Sequence, residues 1–141
     1  MAIKQLSVFV DNTQGSLHGI TDALAKAGID LRSMCVADTS NFGIVRIITA
    51  EPERAKEVLE EAGYAANVRR VNAFAISDTP GGLSSALNLL EGHGVNIEYM
   101  YALITSEAGK AYTVMRTGST DATDEILKNN GIELLDESTL H

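Results

Sequence analysis

The sequence repeats itself internally, and this constrains its fold more than any other feature. When the chain is shifted by 66 residues against itself, residues of the first half fall on identical residues of the second half. These pairs are Thr13, Gly15, Leu17, Leu24, Gly28 and Met34 with Thr79, Gly81, Leu83, Leu90, Gly94 and Met100. Farther along, a shift of 68 aligns Thr49, Glu57, Leu59 and Gly63 with Thr117, Glu125, Leu127 and Gly131. The repeat therefore predicts two similar domains, residues 1–70 and 71–141.

Each copy has the same predicted order of elements, βαββαβ. Alternating or branched apolar stretches indicate the strands, and apolar residues three or four positions apart indicate the helices. In the first copy the strands are residues 6–10, 29–37, 44–49 and 66–71, and the helices are residues 17–27 and 51–62. In the second copy the strands are residues 71–76, 95–104, 112–117 and 132–135, and the helices are residues 83–93 and 120–130.

This element order is typical of the ferredoxin-like split βαβ pattern. The chain is therefore predicted to be an α+β protein of two tandem ferredoxin-like βαββαβ domains, with antiparallel sheets and both helices on one face. The last six residues, 136–141, are expected to be loosely ordered.

Composition and charge exclude several classes of function. The 141 residues are 45% apolar, and 19 Asp and Glu against 11 Lys and Arg give a net charge of −8. Because that charge opposes binding to nucleic acids and anionic membranes, we expect no partner of either kind. No stretch approaches the about 18 apolar residues of a membrane span, and no apolar signal-peptide segment is recognisable. A single cysteine, Cys35, cannot form a disulfide within the chain, so we expect a cytoplasmic protein.

The turn that enters the first helix of each copy carries groups suited to an α-amino acid. The helix N-termini expose N–H groups at Gly15-Ser16-Leu17 and Gly81-Gly82-Leu83, which can bind a carboxylate. Asn12 and Asp78, just before them, can accept hydrogen bonds from an ammonium group. The structural alternative is that Asn12 or Asp78, with the threonine that follows, caps the helix. Both interpretations stay open at this stage.

A second polar position follows the glycine that ends each of these helices. Asp30 occupies it in the first copy and Asn96 in the second. Either residue can serve a turn, or it can contribute to a ligand site at the same end of the fold. Their shared place in the repeat makes them candidates for the site.

These residues together form the motif of a known family. Ser77-Asp78-Thr79-Pro80-Gly81-Gly82-Leu83, eleven residues that end in Gly94, and then Val95-Asn96-Ile97 resemble the ACT domain, a small βαββαβ regulatory module of amino-acid-metabolising enzymes. The first copy is similar but departs from the pattern, because Gln14 stands where the family usually has proline. It also has Asp30 where the family often has asparagine.

The resemblance implies a module that binds a free α-amino acid at a domain interface and signals to a partner enzyme, without catalysis or a cofactor. The implied ligand contacts are Asn12, Gln14, Gly15, Ser16, Leu17 and Asp30 in the first copy, and Asp78, Pro80, Gly81, Gly82, Leu83, Asn96 and Ile97 in the second. In this interpretation the helix N–H groups bind the carboxylate and Asp78 and Asn12 bind the ammonium. Asp30 and Asn96 approach from an adjacent domain.

Two other functions stay open. The chain could be a ligand-independent structural or interaction subunit of an amino-acid-metabolising enzyme, or an enzyme with a small acidic substrate. A metal site is not predicted, because the histidines lack metal-ligand spacing with one another or with Cys35. A catalytic triad is not predicted either, because Ser16 and His18, two positions apart on a helix, point to different faces and no acid is placed to orient the imidazole. We also expect a homodimer, because strands 29–37 and 95–104 carry apolar residues on both alternations and two apolar faces must be covered.

Overall fold

Two compact units make up the chain. The computed structural model describes residues 3–11, 13–38, 42–104 and 107–140. One unit is Lys4–Arg69 and the other is mainly Arg70–Thr139. In chain order the elements are β1 (Ile3–Asp11), α1 (Ser16–Lys26), β2 (Ser33–Asp38), β3 (Phe42–Ile48), α2 (Pro52–Glu61), β4 (Ala65–Ser77), α3 (Gly82–Gly92), β5 (Ile97–Ala102), β6 (Lys110–Thr117), α4 (Thr120–Asn129), β7 (Glu133–Leu134) and a 3-10 helix (Glu137–Leu140). The predicted α+β class with two ferredoxin-like units is confirmed.

Each unit is built on antiparallel strand pairs. In the first unit β3 lies between β1 and β2, and Val45 has Val8 on one side and Val36 on the other. In the second unit β6 lies between β4 and β5, and β7 pairs with the opposite edge of β4. None of the helices in the described ranges is long and apolar enough to cross a bilayer.

Both helices of the first unit pack on the same side of its strands. α1 buries Ile20 and Leu24, and α2 buries Ala55 and Leu59, so each helix presents residues four positions apart. These residues share one cluster with alternate residues of β1 and β3, namely Leu6, Val8, Val45 and Ile47. Since alternate strand residues point to one face, the predicted placement of the helices is correct here.

The second unit repeats this packing. Ala86 and Leu90 of α3 and Leu127 of α4 meet Phe74 of β4 and Met115 of β6 in one buried cluster. Partly buried residues of β5, β7 and the segment after α4 pack around it. The second cluster therefore uses the same elements, in the same order, as the first.

Some element boundaries differ from the prediction. Two strands were expected at residues 66–71 and 71–76, but β4 runs unbroken over Ala65–Ser77, because no glycine or proline interrupts it. β2 and β5 begin at Ser33 and Ile97, later than expected. Ile29 and Leu31 pack into the first core from a connecting segment, so their apolar character reflects burial rather than strand pairing.

The C-terminal tail is also more regular than expected. Asp136 Oδ1 accepts hydrogen bonds from the N–H of Ser138 at 3.0 Å and from its Oγ at 2.5 Å. Hydrogen bonds from an aspartate side chain to the residue two positions later are typical of turns, and here they lead into a 3-10 helix at Glu137–Leu140. The prediction of a loosely ordered tail is therefore wrong for the residues up to 140.

A buried polar network holds α4 against the strands of the second unit. Asn72 Nδ2 donates to Asp124 Oδ1 at 2.7 Å, and Thr117 Oγ1 donates to Asn72 Oδ1 at 2.9 Å. Asp124 is 8% exposed. Burial raises the pKa of its carboxyl above the ordinary 3.8, and the hydrogen bond from Asn72 opposes this in part. Folding therefore favours the protonated form of Asp124.

We predict that replacing Asp124 with Asn removes a pH-dependent part of the stability. Because the folded-state pKa is raised, the stabilising contribution of Asp124 is present below pH 3.8 and is lost as the pH rises through the raised pKa. As the pH rises from 3.8 through the raised pKa, the free energy of unfolding of the natural chain should fall relative to that of Asp124→Asn. Urea unfolding at a series of pH values measures it, and a difference that stays constant or grows with pH would contradict the prediction.

Candidate functional site

The turns that enter α1 and α3 share one backbone geometry. Gly15 and Gly81 are the N-cap residues, with φ of 86° and 87° in the left-handed region, where a side chain is unfavourable. Neither helix receives a hydrogen bond from a capping side chain. Instead, Ser77 Oγ and Thr79 Oγ1 share a hydrogen bond of 2.9 Å. The capping alternative is therefore wrong for Asp78 and Thr79, and Asn12 lies outside the described residues.

The N-terminus of α3 keeps some of its N–H groups free. Gly82 N–H donates to the carbonyl of Thr79 at 3.0 Å, so the turn itself uses this donor. The N–H groups of Leu83 and Ser84 have no hydrogen-bond partner among the described residues. A negatively charged group placed here would meet these donors and the positive end of the helix dipole.

The turn itself requires glycine at position 82. A Cβ at this position would overlap the carbonyl oxygen of Ser77, which is a backbone atom and cannot rotate away. The missing side chain therefore makes room for the turn.

An open cleft of about 810 Å³ begins at this turn. It lies between β4, the start of α3 and the segment after α4. Its buried or half-buried lining is apolar and includes Ile76, Ala86, Leu89 and Ile132. Its polar lining includes half-buried Lys110 and the exposed residues Ser77, Thr79, Ser85, Asn130 and Glu133. The cleft thus has an apolar floor and a polar rim.

A pair of opposite charges lies on that rim. Lys110 Nζ is 3.2 Å from both carboxylate oxygens of Glu133. Strand register explains the contact, because Lys110 of β6 is opposite Ser77 and Glu133 of β7 is opposite Ala75. Ser77 and Ala75 are two residues apart on β4, so both charged side chains project on the same face.

Lys110 also joins the cleft to a neighbouring cluster. Its Nζ is 3.2 Å from Glu107 Oε1, and Tyr112 donates its hydroxyl hydrogen to Glu107. Hydrogen bonds from Lys110 to Glu133 and Glu107 raise the pKa of the ammonium group. The hydroxyl of Tyr112 and the ammonium of Lys110 lower the pKa of Glu107. Lys110 and Glu107 therefore keep their charges over a wide pH range.

The smaller cleft of the first unit has a volume of about 340 Å³. Its lining consists of Phe9, Val10, Asp11, Ser16, Phe42, Gly63 and Tyr64. When the repeat shifts of 66 and 68 are applied, these residues correspond to Ala75, Ile76, Ser77, Gly82, Lys110, Gly131 and Ile132, all of which line the larger cleft. The two clefts are therefore the same place in the two copies.

Comparison with known proteins identifies the family. The family model of the ACT domain pair matches residues 1–141. The chain belongs to the ACT domain pair family. The resemblance inferred from the turn motifs is thereby confirmed, and ACT domains are regulatory modules.

Several solved structures share the fold. Protein BT0572 from Bacteroides thetaiotaomicron is 36% identical with a TM-score of 0.92, and the match covers 99% of this chain and 96% of that one. The regulatory subunit of aspartate kinase from Thermus thermophilus is 15% identical with a TM-score of 0.67, over 91% and 92%. The corresponding subunit from Thermus flavus is 17% identical with a TM-score of 0.63, over 89% and 90%. No protein of curated function matches the sequence significantly.

The predicted site residues of the second ACT copy separate in the structure. Pro80, Gly81 and Gly82 line the larger cleft, whereas Asp78 lies in another cleft, of about 410 Å³, beside Glu107 and Tyr112. The remaining predicted residues border neither: Leu83 is 39% exposed, Asn96 is exposed, and Ile97 packs against the second core. The structure therefore brings together the turn glycines and proline, but not Asp78 or Asn96.

In the first ACT copy, Ser16 is the one predicted residue in the described part of the chain that lines the smaller cleft. Gln14, Gly15 and Leu17 lie outside it and are exposed. The Asp30 carboxylate is 3.4 Å from Arg32 Nη1, and its backbone carbonyl accepts a hydrogen bond from Thr49 at 2.8 Å. Asp30 thus has structural contacts of its own.

Sequence analysis missed the charged pair on the rim. Lys110 and Glu133 correspond to Phe42 and Ala65 in the first copy. The available signal was this exchange of apolar residues for charged residues at equivalent positions of the repeat. It could have marked the second ACT copy as chemically different from the first. Within the described ranges, no cluster of side chains is suited to hold a metal ion.

We predict that Gly82→Ala destabilises the ACT pair by about 1–3 kcal/mol, because the new methyl group overlaps a backbone carbonyl. The matched control is Gly92→Ala at the other end of α3, where a Cβ meets no atom within 4 Å. That change should leave the free energy of unfolding unchanged or slightly higher. Urea unfolding of both variants tests the prediction, and equal stabilities would contradict it.

Proposed function

We propose that this chain is a non-catalytic regulatory module that binds a free α-amino acid and acts on a partner enzyme of amino-acid metabolism. The observation that carries the proposal is the open cleft of the second ACT copy, which begins at the uncapped N-terminus of α3. Its rim carries a lysine paired with a glutamate, and its floor is apolar. An α-amino acid has groups to match each of these: a carboxylate, an ammonium and a side chain.

The ammonium of Lys110 is the candidate to bind the carboxylate, and Glu133 is the candidate acceptor for the ligand's ammonium. Asp78, the acceptor expected from the sequence, lies in the neighbouring cleft. The negative charge of Glu133 makes a stronger hydrogen bond than the neutral Asn12 of the first copy could make. We therefore expect the second ACT copy to be the better binding site.

The partner and assembly are part of the same proposal. The Thermus structures are of regulatory subunits of aspartate kinase, and they share this fold. Regulation of an enzyme by a separate ACT chain in the cytoplasm is therefore our working hypothesis. We further propose a homodimer, in which exposed Asn96 of one subunit is available to contact a ligand held by the other subunit.

We predict that at least one proteinogenic amino acid raises the melting temperature of the full chain as its concentration rises. A ligand that binds only the folded state stabilises it by about 2.7 kcal/mol at a hundred times its Kd, which corresponds to a shift of several degrees. Differential scanning fluorimetry against all proteinogenic amino acids measures this effect. The D-enantiomer of each hit serves as the control for nonspecific stabilisation.

A flat response to every amino acid at millimolar concentration would contradict the proposal. The result would then favour the ligand-independent interaction subunit, which needs no small molecule to bind its enzyme. Turnover of a hit, seen as a new product by mass spectrometry, would contradict the non-catalytic part alone.

A further inference from the structure

The two equivalent clefts differ in ways that bear on what each can bind. Each of the seven described residues lining the first cleft has its repeat counterpart in the lining of the second. The second is nevertheless more than twice as large, at about 810 against about 340 Å³. Several of the matched positions carry side chains of different size or charge.

Tyr64 lines the first cleft and narrows it. Its hydroxyl lies directly against Gly19 of α1, where no space is left for a Cβ, and its ring packs against the first core. The equivalent of Tyr64 is Ile132, which is shorter, and the equivalent of Gly19 is Ser85. An aromatic side chain of the protein thus occupies, in the first copy, the space that is open in the second.

The charged pair on the rim is a second difference, because the first copy has no equivalent of it. Lys110 and Glu133 correspond to Phe42 and Ala65, so the first cleft has neither member of the pair. In the second cleft, Lys110 is 38% exposed and Glu133 is 53% exposed, which leaves both accessible to a ligand. β7 pairs with Phe74 and Ala75 of β4, so the cleft opens beside the next residues, Ile76 and Ser77.

We propose that the second ACT copy holds the single amino-acid site of the chain, and that this site selects α-amino acids with an uncharged, apolar side chain. This inference rests on the proposed function. The ligand's carboxylate pairs with Lys110 and its ammonium with Glu133, while its side chain lies on the apolar floor formed by Ile76, Leu89 and Ile132.

Charge balance favours a zwitterion over a simple ion. Lys110 Nζ is 3.2 Å from both Glu133 and Glu107, and a zwitterion inserted between Lys110 and Glu133 gives each of these two residues an opposite charge. A ligand with a carboxylate alone separates Glu133 from its lysine without replacing it, and a ligand with an ammonium alone pairs with Glu133 but gains no contact with Lys110. Both therefore bind more weakly.

The lining selects against charged side chains for two reasons. A charge placed on the apolar floor loses its hydration without gaining a partner. An acidic side chain would in addition meet the carboxylates of Glu107 and Glu133, which both lie at 3.2 Å from the one lysine. The volume itself does not select, because about 810 Å³ is ample for any amino acid.

Calorimetric titration of the full chain with leucine, aspartate and lysine tests the selectivity, with isocaproate and isoamylamine as leucine analogues that lack the ammonium or the carboxylate. We expect leucine to bind at least about tenfold more tightly than the other four. Lys110→Gln and Glu133→Gln should each weaken leucine binding about tenfold or more. The matched controls Lys128→Gln and Glu125→Gln, on the exposed side of α4, should leave it unchanged.

The outcomes separate this inference from the proposed function. Tight binding of aspartate or lysine, or leucine binding that Lys110→Gln and Glu133→Gln do not affect, overturns the inference and leaves an amino-acid-binding module. Loss of binding in Asp78→Asn but not in Glu133→Gln also overturns it. Absence of binding by every amino acid overturns both.

The number of leucine molecules bound per chain tests whether the first cleft binds an amino acid. We expect one leucine per natural chain, and two per chain when Phe42→Lys, Tyr64→Ile and Ala65→Glu are combined, because these changes copy the second cleft into the first. The thermal transition of this triple variant establishes that it folds. Two leucines per natural chain, or a folded triple variant that still binds one, would show that Tyr64 and the charge pair do not decide which cleft binds.

Discussion

The burial of one strand face under two helices is the constraint on which the rest of each unit depends. A helix with apolar residues four positions apart, such as Ile20 and Leu24, can bury them only against a surface of matching spacing. Alternate strand residues such as Val8 and Val45 provide that surface. The packing fixes where each helix begins, and hence where the tight turn before α1 or α3 must lie.

Duplication of this unit conserved its backbone and let its surface chemistry diverge. Gly15 and Gly81 hold almost the same φ, at 86° and 87°, because both turns must bring a strand directly into a helix. The side chains around the turns have no such constraint. Tyr64 lines the smaller cleft, whereas the shorter Ile132 lines its larger counterpart. The fold thus supplies two equivalent places, and side-chain size and charge decide what each can do.

The charged residues contribute in different ways according to their burial. Asp124 is almost fully buried and depends on its hydrogen bond with Asn72, so its protonation is coupled to folding. Lys110 and Glu133 are partly exposed, and pairs of this kind stabilise a fold by only about 0–1 kcal/mol. Their position on a cleft rim therefore adds little to stability, and we propose that it serves recognition. The conformation of the turn, in contrast, depends on sterics at Gly82.

The sequence by itself determined the repeat, the order of strands and helices, the family and the two entry turns, because hydrophobic period and turn chemistry are local properties. Strand starts such as Ser33 were less predictable, since Ile29 and Leu31 are apolar for burial rather than pairing. Tertiary structure alone decided which side chains meet at the cleft. Lys110 and Glu133 lie 23 residues apart and come together because β6 and β7 pair with opposite edges of β4. Such register is a long-range property that no local pattern encodes.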